Sequence, residues 1–427
     1  MLRRSLGQAY RRLLWANTIS SVGAGVYVSA LPLLAYTVTK DPRLIALVSA
    51  SAFVPWLVWS LPAGVIVDRY DRGVLMWRSQ VVQGLIVAMI AVLLLVHEVD
   101  IALLILLGFL LGSAEVFFSN AAQSVLPELV PAAELPKANG NLQVSLTVGE
   151  TFAGPPLGSF LFAVARVLPF GLNAFTFFGS AALLYGLPKK AEPAAAHAPM
   201  GTQIAEGLSY LLRHRLLRVV ALLLGVMGFA SQMGQATLVL LAVRTLHTGT
   251  EGYGLLWTAS AVGSILGGLT NPVLTRRLGM LPSLIIALLA SAAEFVGIGL
   301  APDVIVAGVL FACNGYFVTM WNVVTVTLRQ QLVPRDLLGR VNSVYRMIGW
   351  GLFPVGAVAS GFVARELGYR APYTVGGLVI ALVGLVTLPA LIRASRSQPD
   401  PGSEPDPRSE PDPRAQPDPR SQPDPRS

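Results

Sequence analysis

Apolar runs of about twenty residues recur from one end of this chain to the other, separated only by short polar breaks. Each run is long enough to cross a hydrocarbon layer of roughly 30 Å. Only helices and closed barrels satisfy their backbone in lipid, and runs of this length mean helices. Charge is correspondingly scarce, at 13% of residues, and mean hydropathy is +0.62. Reading the runs against their breakers gives twelve expected spans, near 13–37, 44–67, 74–97, 101–124, 138–163, 166–187, 215–243, 252–275, 281–300, 304–326, 340–365 and 370–393. The basic start MLRRSLGQAYRRLLW resembles a secretory signal. Its apolar run continues without a small-residue cleavage site, so it is read as a retained first span. The expectation is an all-α integral membrane protein with twelve transmembrane helices.

Orientation follows from Lys and Arg. With the N-terminus placed in the cytoplasm, 21 of them fall in inner loops and helix ends, six fall outside, and four more lie in the tail. Both termini are then cytoplasmic, and the net charge of +8 marks the inner face rather than a nucleic-acid partner. The chain also repeats itself. LVPAAELPKANG at 129–140 aligns with LVPRDLLGRVNS at 332–343, and at the same offset Gly158 meets Gly361. VDRYDR at 67–72 has a fainter echo in LTRRLG at 274–279. Two six-span halves in parallel repeat are a transporter arrangement. The expected organisation is an N-terminal half over 1–187, a cytoplasmic linker over 188–214, a C-terminal half over 215–393 and a tail over 394–427. TQIAEGLSYLLRHRLLR at 202–218 carries apolar and basic positions at helical spacing and is expected along the membrane interface. The tail repeats a Pro-Asp-Pro hexad, and two prolines per hexad forbid helix and ladder, so it reads as disordered.

The charges of GVIVDRYDRGVLM at 64–76 stand between two apolar runs. Gly64 lets another helix approach closely, Asp68 can face the positive end of a neighbouring helix, and Arg69 and Arg72 can hold acidic partners or lipid phosphates. In the fifth span Gly154 and Gly158 stand four apart on one face, with Pro155 weakening the turn between them. The loop with Gly64, Asp68, Arg69 and Arg72 resembles the signature loop of the major facilitator superfamily, and GETFAGPPLGS at 149–159 resembles its antiporter motif. SAEVFFSNAAQSVLPELVP at 113–131, EGLSYLLRHRLLR at 206–218 and GRVNSVYR at 339–346 resemble the bacterial drug and siderophore exporter branch, which includes the enterobactin exporter. The resemblance covers residues 10 to 393. It implies the major facilitator fold and a loop that latches the two halves against the eleventh helix near Gly339–Arg340. The chain departs from the pattern at Asp71, Glu150 and Ser159, where the family prefers glycine, and at Ala24, where the exporter branch often carries an acid.

Three acids fall inside expected spans: Glu115, Glu150 and Glu294. A charged acid at a helix centre costs about 2.5–3.5 kcal/mol on insertion scales, so it is normally paired, protonated or facing water. Glu115 and Glu150 are the proton-coupling candidates, with Arg346 a candidate partner for Glu115. Glu294 lies in the ninth span, which the resemblance makes peripheral. Candidates for the substrate cavity are Asn17, Tyr27, Gln143, Gln232, Gln235, Asn314, Trp321, Asn322 and Arg346, with Tyr316 and Tyr345 nearby. Aromatic and amide groups with few charges suit a large amphipathic solute.

These features lead to a secondary transporter, expected as a monomer, that exports a lipophilic drug, antibiotic or siderophore-like metabolite by alternating access with proton antiport. Multidrug or antibiotic resistance would follow from that role. The sequence has no G-x-x-x-x-G-K-[ST] loop for nucleotide hydrolysis. Its one cysteine, Cys313, allows neither an intrachain disulfide nor a thiolate metal site, so no cofactor is expected beyond a proton gradient. Small-metabolite uptake, a membrane-embedded enzyme and a non-transporting sensor are the alternatives. The enzyme requires converging acids or histidines, whereas the four histidines lie at span ends on opposite sides.

Overall fold

The computed structural model describes residues 7–131, 134–187, 200–334 and 337–396, and every regular element among them is helical. The tail from 397 and the linker stretch 188–199 lie outside the described residues. The first half contains α1 (Gln8–Val38), α2 (Pro42–Ser51), α3 (Val54–Arg69), α4 (Arg72–Leu95), α5 (Ile101–Leu129), α6 (Leu135–Leu146), α7 (Gly154–Val164) and α8 (Leu168–Leu184). After α9 (Met200–Arg213), the second half contains α10 (Arg215–Gln235), α11 (Leu238–Leu240), α12 (Gly249–Leu278), α13 (Met280–Leu300), α14 (Val304–Leu332), α15 (Leu338–Gly351), α16 (Phe353–Leu367) and α17 (Ala371–Arg396). Among the described residues, nine helical stretches are individually long and apolar enough to cross a membrane. The other three expected spans are also helical: α12, the 17-residue α8, and α6 with α7 joined through a π-helical segment, Thr147–Ala153.

The acids between spans have a local explanation. Asp41, Asp71, Asp100 and Asp303 each precede a helix and accept hydrogen bonds from its first free backbone N–H groups. Such caps stabilise a helix start by typically about 1 kcal/mol. The opening loop shows the same device. The α3 backbone stays helical through Arg69, only Tyr70 and Asp71 form the turn, and Asp71 Oδ1 accepts from Val74 N–H at 2.8 Å. At this position a cap replaces the flexibility of a glycine. The interfacial helix is also shorter than the expected 202–218. His214 ends α9 and caps α10, so Arg215 and Arg218 belong to the seventh span.

Prolines set the interruptions. The second span breaks between α2 and α3 just before Pro55, and the eleventh breaks at Leu352 just before Pro354. In the fifth span, Pro155 and Pro156 remove two consecutive helix donors, and the backbone widens over the preceding turn. There the Gly154 N–H reaches back five residues to Gly149 O.

The halves meet unevenly. At the end carrying Asp41, α2 packs along α16 and α7 packs against α12. A Cβ on Gly361 would come within 2.7 Å of Arg43 Cα, and one on Gly254 within 2.8 Å of Ser159 Cβ. Arg365 pairs with Asp41 across the halves at 3.7 Å. Toward the basic end, α3 and α15 touch only sparsely among the described residues. The second half is braced there by α9: Glu206 pairs with Arg340, and Tyr210 Oη donates to Leu332 O at 2.9 Å.

Candidate functional site

Glu115 on α5 and Glu150 on the π-helical segment reach the same small cavity inside the first half. Its volume is about 20 Å³, and Asn17, Ser20, Ser21 and Ala24 of α1 form one wall. That is room for about one water. Gln83 Nε2 on α4 donates to Glu115 Oε2 at 2.8 Å. Among the described residues, no cationic side chain pairs with either acid. Several buried amide atoms close by have no hydrogen-bond partner: Asn17 Nδ2, Gln83 Oε1 and both side-chain termini of Gln80. Such orphans are costly unless water or a ligand satisfies them. Two carboxylates in so small a space repel unless a proton or a cation stands between them. The chamber can therefore take up and release a small positive charge.

The close crossing of the first and fifth spans positions Glu150. A Cβ on Gly25 would lie 2.4 Å from Gly149 O and 2.9 Å from Gly154 Cα, and one on Gly158 would lie 2.3 Å from Val26 O. Thr18 and Ser145 hydroxyls tie the same two spans at 2.7 Å. Pro155 and Gly158 are buried in this seam. Ser159 occupies a position where the pattern prefers glycine, and the space it needs is supplied by Gly254 of the opposite half.

Between the halves, at the level of the two proline breaks, an aromatic group closes the interface. Phe53 and Trp56 from α2–α3 meet Trp350 and Phe353 from α15–α16, with ring centroids 4.9 to 6.5 Å apart. These are favourable aromatic separations, each worth about 0.5–1.5 kcal/mol beyond the area they bury. The group lies between the sealed Asp41 end and the sparsely touching basic end.

A family model described as transmembrane secretion effector matches residues 5–412. The chain belongs to this major facilitator family. An uncharacterised MFS-type transporter, YfiS of Bacillus subtilis, is 27% identical over 394 residues, covering 88% of this chain and 91% of YfiS. The enterobactin exporter EntS of Salmonella typhimurium is 25% identical over 405 residues, covering 92% and 94%. Among solved structures, a nucleoside transporter NupG variant superposes with TM-score 0.72 at 11% identity, over 90% of this chain and 99% of that one. An inward-facing bacterial homologue of the iron transporter ferroportin gives 0.70 at 15%, over 91% and 100%. The protein is a multi-pass transporter of the cell membrane, and not an enzyme.

Within this transporter the other expected residues disperse. The α3 backbone carries Gly64, Asp68 and Arg69, but their side chains, like that of Arg346, lie outside the described residues. Arg72 pairs with Glu128 of its own half and donates to Ser124 O at 2.9 Å. Tyr27 is buried edge-on against Phe170, between the first and sixth spans and away from the cavity. Asn314 Nδ2 is spent on Glu294 Oε1 at 2.7 Å, which removes it from the cavity candidates. Trp321 and Gln232 are buried in the second half. Gln235 donates to Ser231 Oγ at 2.9 Å, while Gln143 and Asn322 are exposed. Only Asn17 among the cavity candidates joins the two acids. Gln80, Gln83, Ser20 and Ser21 were not among the expected residues. Two glutamines one turn apart in an apolar span were their visible signal.

Proposed function

We propose that this transporter exports a lipophilic or siderophore-like metabolite in exchange for protons, with Glu115 and Glu150 as the proton-carrying pair. The observation that carries the reading is their shared cavity, with the unpartnered Asn17 amide in its wall, Gln83 bonded to Glu115 and, among the described residues, no cation paired with either acid. Ala24 stands in the same wall, where the exporter branch often carries an acid. The carboxylate missing from span one is thus supplied by spans four and five. The likeness to an enterobactin exporter supports an amphipathic cargo.

In this reading the basic end is cytoplasmic, both termini with it, and the structure is inward-facing. The aromatic group and the Asp41–Arg365 pair close the outside. Protons load from the outside onto the pair, neutralise its repulsion and permit reclosure. Release inward restores the charge on the pair. Gly64, Asp68, Arg69 and Arg72 act as the inner latch, and the Gly154–Gly158 seam keeps the first and fifth spans together as the halves rock. The two halves over 1–187 and 215–393, joined by 188–214, are the moving bodies, and one chain is the working unit. Export of drugs or antibiotics would confer resistance to them.

The test is efflux from proteoliposomes for a panel of lipophilic compounds and catecholate or hydroxamate chelators, with and without a proton gradient. Wild type is compared with Glu115→Gln. Gradient-dependent efflux that the substitution slows is the expected result. Transport indifferent to both gradient and substitution would sink the coupling role, and retention unchanged by the protein would remove that panel as cargo.

A further inference from the structure

At the basic end of the first half, away from the acid chamber, a groove of about 410 Å³ opens between α1 and α8. Arg11, Arg12 and Trp15 line it from α1, and Ile19 and Leu183 form its apolar floor. Arg11 stands about 5 Å and Trp15 about 10 Å along α1 from its start, at 1.5 Å per residue. That is the depth at which arginine and tryptophan side chains settle between lipid headgroups and acyl chains. Arg12 spends Nε and Nη2 on the last carbonyls of α8, those of Leu183 and Tyr185, and keeps Nη1 for another acceptor.

The groove continues as a ribbon across the neighbouring helix. The Tyr185 ring stands edge-on to Trp77 with centroids 5.6 Å apart, and the Arg78 guanidinium lies over Trp77 at 5.5 Å. Trp77 is about 8 Å along α4 from its start, in the second turn of that helix. Among the described residues no acid pairs with Arg11, Arg12 or Arg78. Arg11, Arg78, Trp15 and Tyr185 are all exposed. Arg72, on the same helix as Arg78, already holds Glu128, so the ribbon's charge is not absorbed by a neighbour.

We propose that this ribbon is a binding site for an anionic phospholipid of the membrane leaflet at the basic end. The phosphate sits at Arg11 and Arg12 Nη1 in the groove, Arg78 adds its charge from the far end of the ribbon, and an acyl chain lies along the Ile19–Leu183 floor. A free phosphate would use the arginines alone. The exposed indole, the phenol and the apolar floor at headgroup depth select a lipid. Bound there, the lipid staples the first, third and sixth spans at the end where the halves stand apart. The proposal is independent of cargo and of proton coupling.

The purified full chain is delipidated in detergent. Phosphatidylglycerol, phosphatidylcholine or inorganic phosphate is then added, reading the thermal midpoint and the lipid retained in native mass spectra. Phosphatidylglycerol is expected to bind and raise the midpoint, and the other two are not. The double substitution Arg11→Gln with Arg78→Gln leaves Arg12 on its carbonyls. It is expected to weaken phosphatidylglycerol binding about thirtyfold, at roughly 1 kcal/mol per interfacial cation. Arg11→Lys with Arg78→Lys is expected to restore most of it. Equal binding by wild type and the glutamine variant would overturn the site, as would equal stabilisation by phosphatidylcholine. Stabilisation by inorganic phosphate alone would overturn the choice of lipid. If the glutamine variant does not fold, the lysine variant decides: loss of the preference for phosphatidylglycerol despite retained charge overturns the proposal, and its retention supports it.

Discussion

The two halves each carry carboxylates within their spans but treat them differently. In the second half Glu294 is 4% exposed and holds Asn314 between the ninth and tenth spans. Asn314 thereby satisfies one of its oxygens, and the other, Oε2, is buried without a partner. In the first half Glu115 and Glu150 converge on a cavity, one held by Gln83 and the other carried on a widened turn of helix. The same residue type bonds an amide across two spans in one place and meets a second acid in the other. Glu294 is buried, Glu115 half-buried and Glu150 exposed, so burial follows the surroundings. The difference lies in whether a second acid and unsatisfied amides share the space.

The sharpest way to break this comparison is to remove both first-half acids. Glu115→Gln with Glu150→Gln is expected to bring gradient-driven efflux down to the level of empty vesicles while the protein still inserts, as read by surface labelling. Next in size is Gly25→Leu, which drives a side chain into Gly149 O and the Gly154 backbone. Overpacking of this kind costs about 1–3 kcal/mol, so a lowered thermal midpoint and impaired transport are expected together. Glu115→Gln alone should slow efflux without abolishing it, because Glu150 remains; a flux ratio across imposed gradients measures how many protons are still exchanged. Smallest is Glu294→Gln. The amide keeps an oxygen for Asn314, so coupling should be unchanged and stability should move by no more than about 1 kcal/mol. A loss of gradient dependence in this last variant would erase the distinction between the halves.

The spans themselves were legible because a run of twenty apolar residues leaves the backbone one solution in lipid, and every expected run is helical here. The seam of Gly154 and Gly158 was legible as a close-packing face, though its partner, the first span at Gly25 and Val26, was not. Pairing across helices depends on rotation about each axis, which hydrophobicity does not encode when lipid and core are both apolar. The same ambiguity explains Tyr27 and Asn314, polar residues that point into helix contacts rather than the cavity. The widened turn at Thr147–Ala153 was hidden for another reason. The double proline announced a disturbance but not which way the backbone would yield. Asp71 likewise became understandable only once the helix it caps was seen to begin at Arg72.

The aromatic group between the halves also has an optical consequence. Trp56 and Trp350 belong to opposite halves, and their ring centroids are 4.9 Å apart. Two indoles that close share excitation and quench one another, and they are parted by any motion that separates α3 from α15. With the other five of the seven tryptophans replaced by phenylalanine, the emission of this pair becomes a built-in gauge of how far α3 and α15 have parted, read in an unlabelled protein.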